Sequence, residues 1–326
     1  MIFKRNNGGL RINNLRLWWA VSLLAIIFVG CEDGAELRDG SIFVFGKRGV
    51  DSGHFSTPRA IAIDENDEIY IVDKMGRIQV FNPDGQYLRE WRTPEINNGK
   101  PCGLGLTNDG LVMVADTHYF RVLFYTRDGV LIPERTIGGK NGRGPGEFGF
   151  VTDVVQDSRG CYYVADYGDY DRIQKFDSEG KFLFDWGGHG KEPGQFLRPQ
   201  CLVIDEQDHL WVADACNHRI QVFDATGDKP VSIKTWGQPG VEPGLLRYPY
   251  CLWLANDGNV FVCEFGNHRI QKFTRDGQSL GVFGEPGKGP GQFFQPWALC
   301  QDKKGRVFML DTYNNRVQRF EFPTTK

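Results

Sequence analysis

Six segments of this 326-residue chain repeat one pattern, and that repetition constrains the fold more than any other feature. They are IVDKMGRIQVF (71–81), VADTHYFRVLFY (114–125), VADYGDYDRIQKF (164–176), VADACNHRIQVF (212–223), VCEFGNHRIQKF (262–273) and MLDTYNNRVQRF (309–320). Their arginines, Arg77, Arg121, Arg172, Arg219, Arg269 and Arg316, are spaced by 44, 51, 47, 50 and 47 residues. Within a unit, an apolar run such as QCLVID (200–205) meets an acidic turn, then HLWVAD (209–214), an Asp-to-Arg loop and the alternating run RIQVF (219–223). A Gly-containing turn follows, such as NPDG (82–85) or TRDG (274–277), and a fourth run ends in an aromatic residue plus glycine. Four short strands per period of this length predict the blade of a β-propeller.

The last unit stops at Phe322 without a fourth strand, whereas SIFVFG (41–46) near the other end copies SLGVFG (279–284). The N-terminal strand is therefore expected to complete the final blade, which removes the free sheet edges and sets the blade count at six. The expected fold is all-β, with the propeller spanning residues 41–322. Residues 1–31 precede it as an export signal, 32–40 as a short linker, and 323–326 follow as a tail.

NHRIQVF (217–223) and NHRIQKF (267–273), together with recurring PGxF loops, resemble the NHL repeat. That resemblance implies the fold but not an activity, because the family includes RNA-binding, protein-binding, receptor-like and lyase members. The amidating lyases among them hold zinc with three histidines converging on the channel. At the matching positions this chain offers Gln200, Tyr250 and Trp297, so the zinc triad does not carry over.

A residue found in every blade serves the blade, whereas one that breaks the pattern is free to serve a ligand. The six arginines follow an acid that opens the same loop (Asp73, Asp116, Asp166, Asp214, Glu264 and Asp311) and are expected to pin it by bidentate ion pairs. His218 and His268 belong to the repeat and read as loop-stabilising side chains rather than metal ligands. Residues aligned at the channel entrance do not repeat: Arg59, Cys102, Asp153, Gln200, Tyr250 and Trp297. Blades two and three depart furthest from the pattern, adding His118 and Tyr119 from DTHYFR, and Tyr167 and Tyr170 from DYGDYDR. These ten are the candidate ligand-binding residues, since aromatic and charged groups on a rigid rim suit polar ligands.

The chain opens with a basic stretch to Arg16, an apolar run LWWAVSLLAIIFV (17–29), then Gly30 and Cys31, the order of an export signal. Its ending FVGC (28–31) resembles a bacterial lipobox, with Phe28 in place of the usual Leu. The resemblance implies lipidation of Cys31 and a propeller facing the periplasm or exterior. From Cys31 onward the chain carries 34 bases against 41 acids, which disfavours nucleic acid as a partner. Seven further cysteines, an odd number without CxxC spacing, do not make a disulfide framework. A hairpin turning at Asn256, Asp257 and Gly258 would place Cys251 opposite Cys263, a pair that an oxidising compartment could join.

No nucleophile with its base and no nucleotide fingerprint is present, and no metal or cofactor is expected. The reading is a monomeric, membrane-anchored binding or scaffolding module for a protein, peptide or extracellular polymer. The alternative is a metal-dependent lyase-like enzyme resembling peptidyl-hydroxyglycine amidating lyase.

Overall fold

The computed structural model describes residues 42–323 and the backbone of Ala35–Glu36. Residues 1–31, expected to be an export signal ending at Cys31, and residues 324–326 lie outside the described residues. Six antiparallel sheets follow one another in sequence. Their innermost strands are Pro58–Ile63, Gly103–Leu106, Phe150–Gln156, Pro199–Ile204, Pro249–Leu254 and Leu299–Gln301. In blade four the next three strands are His209–Asp214, Arg219–Asp224 and Val231–Trp236, each pairing with its predecessor. Second strands such as Ile69–Asp73 are buried at every residue because neighbouring blades cover both faces, whereas the outermost strand Phe182–Gly187 alternates half-buried and exposed.

The closing strand is Ile42–Phe45, which runs antiparallel to Arg316–Glu321 with Ile42 opposite Phe320 and Phe45 opposite Val317. Phe45 is 4% exposed and meets Phe81 of blade one at 5.4 Å between ring centres, so the strand joins the first and last blades. Ala35–Glu36 adds a short backbone pairing outside it. Cys251 lies opposite Cys263 across the expected hairpin, and both are free thiols.

Each blade's arginine does pair with its loop acid: Arg219 Nε reaches Asp214 at 2.7 Å, Arg316 Nε reaches Asp311 at 2.7 Å and Arg269 Nε reaches Glu264 at 2.6 Å. The expected bidentate fork does not form. In five blades the remaining guanidinium nitrogens donate instead to carbonyls of the inter-blade connector, as Arg77 does to Val50, Asp51 and His54, and Arg219 to Lys191, Glu192 and Gln195, whereas Arg121 of blade two reaches the Glu95 carboxylate. One planar group thus ties the loop to the connector ahead of the blade, a task that five donors can perform and a lysine cannot.

The glutamine two residues after this arginine completes the clamp. Gln79, Gln174, Gln221, Gln271 and Gln318 are fully buried. Each accepts from a connector glycine N–H (Gly53, Gly146, Gly194, Gly244 and Gly291) at 2.8–3.0 Å. These glycines lie at φ +70 to +91°, where a side chain would be strained. Blade two, which lacks the Gly-rich connector, carries Leu123 at the glutamine position. Connector and glutamine are therefore present or absent together.

Candidate functional site

The channel face is built where each connector enters an innermost strand. At four of these entrances the ladder skips one residue, and at three of them that residue is an expected one: Pro58 and Ala60 are paired but not Arg59, Pro199 and Cys201 but not Gln200, Pro249 and Cys251 but not Tyr250. A bulge re-aims the side chain of its extra residue. Arg59, Gln200 and Tyr250, with Cys102 and Trp297, line a single cavity of about 70 Å³ at the propeller axis. Five of the six expected ring residues thus reach it from equivalent positions of five blades.

Asp153 also lines this cavity, but from a different position. Counting back from the hairpin turns that open at Asp64, Asp157 and Asp205, Val151 aligns with Pro58 and Pro199. The residue skipped in blade three is consequently Thr152, whose hydroxyl donates to the carbonyls of Ala165 and Pro199. Asp153 falls one step deeper, where other blades place Ala60, Gly103, Cys201, Cys251 and Ala298. The sequence alignment of Asp153 with Arg59 was out of register by one, because VTD has no proline to mark the strand's first residue.

The deeper position has its own logic. Innermost strands of adjacent blades do not hydrogen-bond as a ladder, so their channel-side N–H groups need other acceptors. Leu202 N–H donates to Asp153 Oδ2 at 2.9 Å, and Leu252 N–H to Cys201 Sγ at 3.5 Å. Asp153 Oδ1 takes the N–H of Val154 at 3.0 Å. Burial pushes its carboxyl up to about 7, against the pull of these donors. Burial likewise pushes the Cys102 thiol up, and its sulfur lies 3.0 Å from Thr117 Oγ1, so it is held as a thiol rather than a nucleophilic thiolate.

Sequence reasoning missed Arg198. It precedes Pro199 at φ +61°, as Thr57, Tyr248 and Gln295 precede their prolines at φ +47 to +54°. This left-handed conformation is unfavourable for any residue with a side chain, and the residue before proline prefers extended backbone. It is held from the neighbouring blade. Tyr248 N–H donates to His218 Nδ1 at 3.0 Å and Gln295 N–H to His268 Nδ1 at 2.9 Å, while Asn315 and Asp171 accept from Thr57 and Arg198. The repeat histidines are thus rim clamps. Desolvation lowers both their pKa values, which keeps Nδ1 free to accept.

The clamps deliver the Arg198 guanidinium between two rings, 4.8 Å from the centre of Tyr167 and 5.1 Å from Tyr250, with Nε donating to Gln200 Oε1 at 2.8 Å. Arg59 lies over Trp297 at 5.3 Å. Tyr250 stacks on Phe265 at 4.4 Å and meets Trp297 edge-on at 4.9 Å. The available signal was the set of residues just before the innermost strands, Thr57, Lys100, Phe150, Arg198, Tyr248 and Gln295, which varies from blade to blade.

The other four candidates divide. Tyr167 joins the site through Arg198, and His118 packs on Phe150, itself 5.3 Å from Tyr167, with Nδ1 buried and unpartnered. Tyr119 and Tyr170 cover their own blades' arginines, Arg121 at 5.0 Å and Arg172 at 5.3 Å, and do not line the axial cavity.

The donor set does not fit the zinc of a lyase. Among the described residues no three of His, Cys, Asp and Glu stand in metal-holding geometry. Both Asp153 oxygens are occupied by backbone donors, and His189, His218 and His268 are engaged in rim contacts.

The NHL-repeat family model matches residues 196–223 and 246–273. NHL repeat-containing protein 3 of Mus musculus is 29% identical over 178 residues, covering 50% of this chain and 51% of that protein. Peptidyl-glycine alpha-amidating monooxygenase A of Xenopus laevis is 35% identical over 143 residues, 41% of this chain and 15% of that one. The chain therefore spans about half, or much less, of the length of these curated relatives. Virginiamycin B lyase from Staphylococcus aureus superposes with a TM-score of 0.59 at 13% identity, over 86% of this chain and 99% of that chain, a likeness of fold alone. With two repeats matched outright and six sheets closed in a ring, the chain is an NHL-repeat six-bladed β-propeller.

Proposed function

We propose that this chain is a binding module, displayed on the far side of a membrane, that holds a peptide, protein or polymer ligand on its channel face. The observation that carries this reading is the convergence of non-repeated side chains, Arg59, Cys102, Gln200, Tyr250 and Trp297, on one axial cavity in an otherwise repetitive scaffold. Rigid aromatic anchors beside cations are the composition of binding hot spots. Cys102 as a buried thiol and Asp153 as a backbone-capping acid supply no nucleophile with a base, which favours binding over chemistry.

Defined panels of acidic and neutral oligosaccharides and short peptides, screened by thermal shift, test the site. The variant Tyr250→Leu/Trp297→Leu is expected to weaken any hit by about tenfold or more, measured well below its own melting temperature, which the loss of two buried rings lowers. Equal binding by the variant moves the site off the rim.

The anchoring rests on the FVGC ending at Cys31. Bacterial cells fed an alkyne-bearing fatty acid are expected to label the full chain and not its Cys31→Ser variant. Labelling of both, or of neither, rejects the anchor.

A further inference from the structure

Among the described residues, Arg59 and Arg198 stand apart from the other arginines. Every other partly or fully buried arginine pairs with a carboxylate, from the 0%-exposed Arg77 with Asp73 to the partly exposed Arg319 with Asp84. Arg59 and Arg198 are also half-buried, yet neither forms an ion pair. Taking a guanidinium out of water without a counter-charge is unfavourable, and a chain under no other constraint leaves such a group in solvent or pairs it. Here a β-bulge holds the first at the channel mouth, and a left-handed residue ahead of a proline holds the second.

Arg59 lines the axial cavity, and Arg198 borders it through two lining residues, donating from Nε to Gln200 Oε1 at 2.8 Å and lying 5.1 Å from the centre of Tyr250. Arg59 and Arg198 each pull down the titration of Cys102 and of Tyr167, so the two positive fields overlap between blades one to four. Unmet donors stand there as well: Arg59 Nε and Trp297 Nε1 are buried without acceptors, and Trp297, 8% exposed, lines the cavity. The acids beside them are engaged elsewhere: both Asp153 oxygens face backbone N–H groups, and Asp171 takes the Arg198 backbone N–H with one oxygen and meets His189 with the other.

We propose that the channel mouth is a receptor site for a single carboxylate, gripped by Arg59 and Arg198, on a ligand whose flat apolar body lies against Tyr250 and Phe265. Size supports the division of labour, because about 70 Å³ admits a carboxylate head and leaves the ligand's body on the rim. The planar fork of a guanidinium matches a carboxylate in two parallel hydrogen bonds. A phosphate site would be expected to present a nest of free backbone N–H groups, whereas those of Thr57, Arg198, Tyr248 and Gln295 are all engaged by the neighbouring blade. The wall beside the cations is aromatic: Tyr250 stacked on Phe265, with Phe265 beside Tyr313 at 6.5 Å. This proposal rests on the channel-face reading and adds the chemical class of the group recognised.

The test is calorimetric titration of the full chain in detergent with benzoate, its neutral analogue benzamide, acetate and inorganic phosphate at constant ionic strength. Benzoate is expected to bind one to one, benzamide and acetate about tenfold or more weakly than benzoate, and phosphate more weakly still. Arg59→Gln and Arg198→Gln are each expected to weaken benzoate by about tenfold while leaving benzamide unaffected. Should Arg198→Gln lower the melting temperature, Arg198→Lys retains the stem and charge but loses the fork, and an intermediate loss is expected. Equal binding of benzoate and benzamide, or indifference to both substitutions, overturns the proposal, and phosphate binding tighter than benzoate replaces it with a general anion site. If panel ligands depend on Tyr250 and Trp297 while benzoate does not bind, the channel-face reading stands and only the carboxylate assignment falls.

Discussion

Deleting residues 41–46 is expected to abolish the single cooperative unfolding transition of the propeller. The deleted segment contains the outer strand of blade six, and its loss leaves one long edge of Arg316–Glu321 unpaired from Val317 to Phe320. It also removes Phe45, whose ring bridges to Phe81 in blade one, and Phe43, over which Arg319 sits at 4.5 Å. Truncating one buried phenylalanine costs about 3–5 kcal/mol, and the total stability of a domain is on the order of 5–15 kcal/mol. Losing the ring's closure in addition leaves too little to hold blades one and six together. Urea unfolding followed by tryptophan fluorescence and far-ultraviolet circular dichroism checks this. A lowered m-value with non-coincident curves is the expected result, and an unchanged midpoint and slope would show that the ring closes without this strand.

The second large effect concerns Arg77. Its side chain is fully buried, bonds Asp73 at 2.9 Å and donates to three carbonyls of the connector. Arg77→Met leaves the equally buried Asp73 without its cation, and the expected loss is about 3–5 kcal/mol in equilibrium unfolding. Asp73→Asn/Arg77→Met is expected to recover part of that loss, because the stranded charge is gone while the one amide oxygen still accepts from either Ser56 or Met75, which donate to separate oxygens of Asp73. The exposed pair of Arg135 and Asp109 provides the contrast, with Arg135→Met changing stability by less than about 1 kcal/mol. Similar losses at Arg77 and Arg135 would sink the argument that burial and connector carbonyls make the repeat arginine structural.

The parts that were legible in the sequence are those that recur. The period, the hairpin turns, the acid and arginine of each loop and the copied SIFVFG strand each occur in several blades, and repetition separated scaffold from chance. It also read His218 and His268 as loop-stabilising side chains, although their acceptor role toward the next blade's N–H groups was not visible. Connector clamping by Gln79, Gln174, Gln221, Gln271 and Gln318 was written in the same repeats, and blade two supplied its own control by lacking both partners. What failed was a one-residue register: Asp153 was placed on the rim, where Thr152 belongs.

That division has a physical cause. Strand identity, turn position and closure follow from periodicity along the chain and from burial on both faces of a blade, interactions that each unit makes in the same way. The channel mouth is made once, from single residues contributed by different blades, and its geometry depends on bulges, on left-handed residues held by a neighbour's side chain and on charges that meet only across the axis. Arg198 and Arg59 lie 139 positions apart in a sequence that says nothing of their common field. By itself the sequence determined a closed ring of six blades; only the tertiary structure decided that Arg59 lines a small axial cavity and that Arg198 borders it through Gln200 and Tyr250.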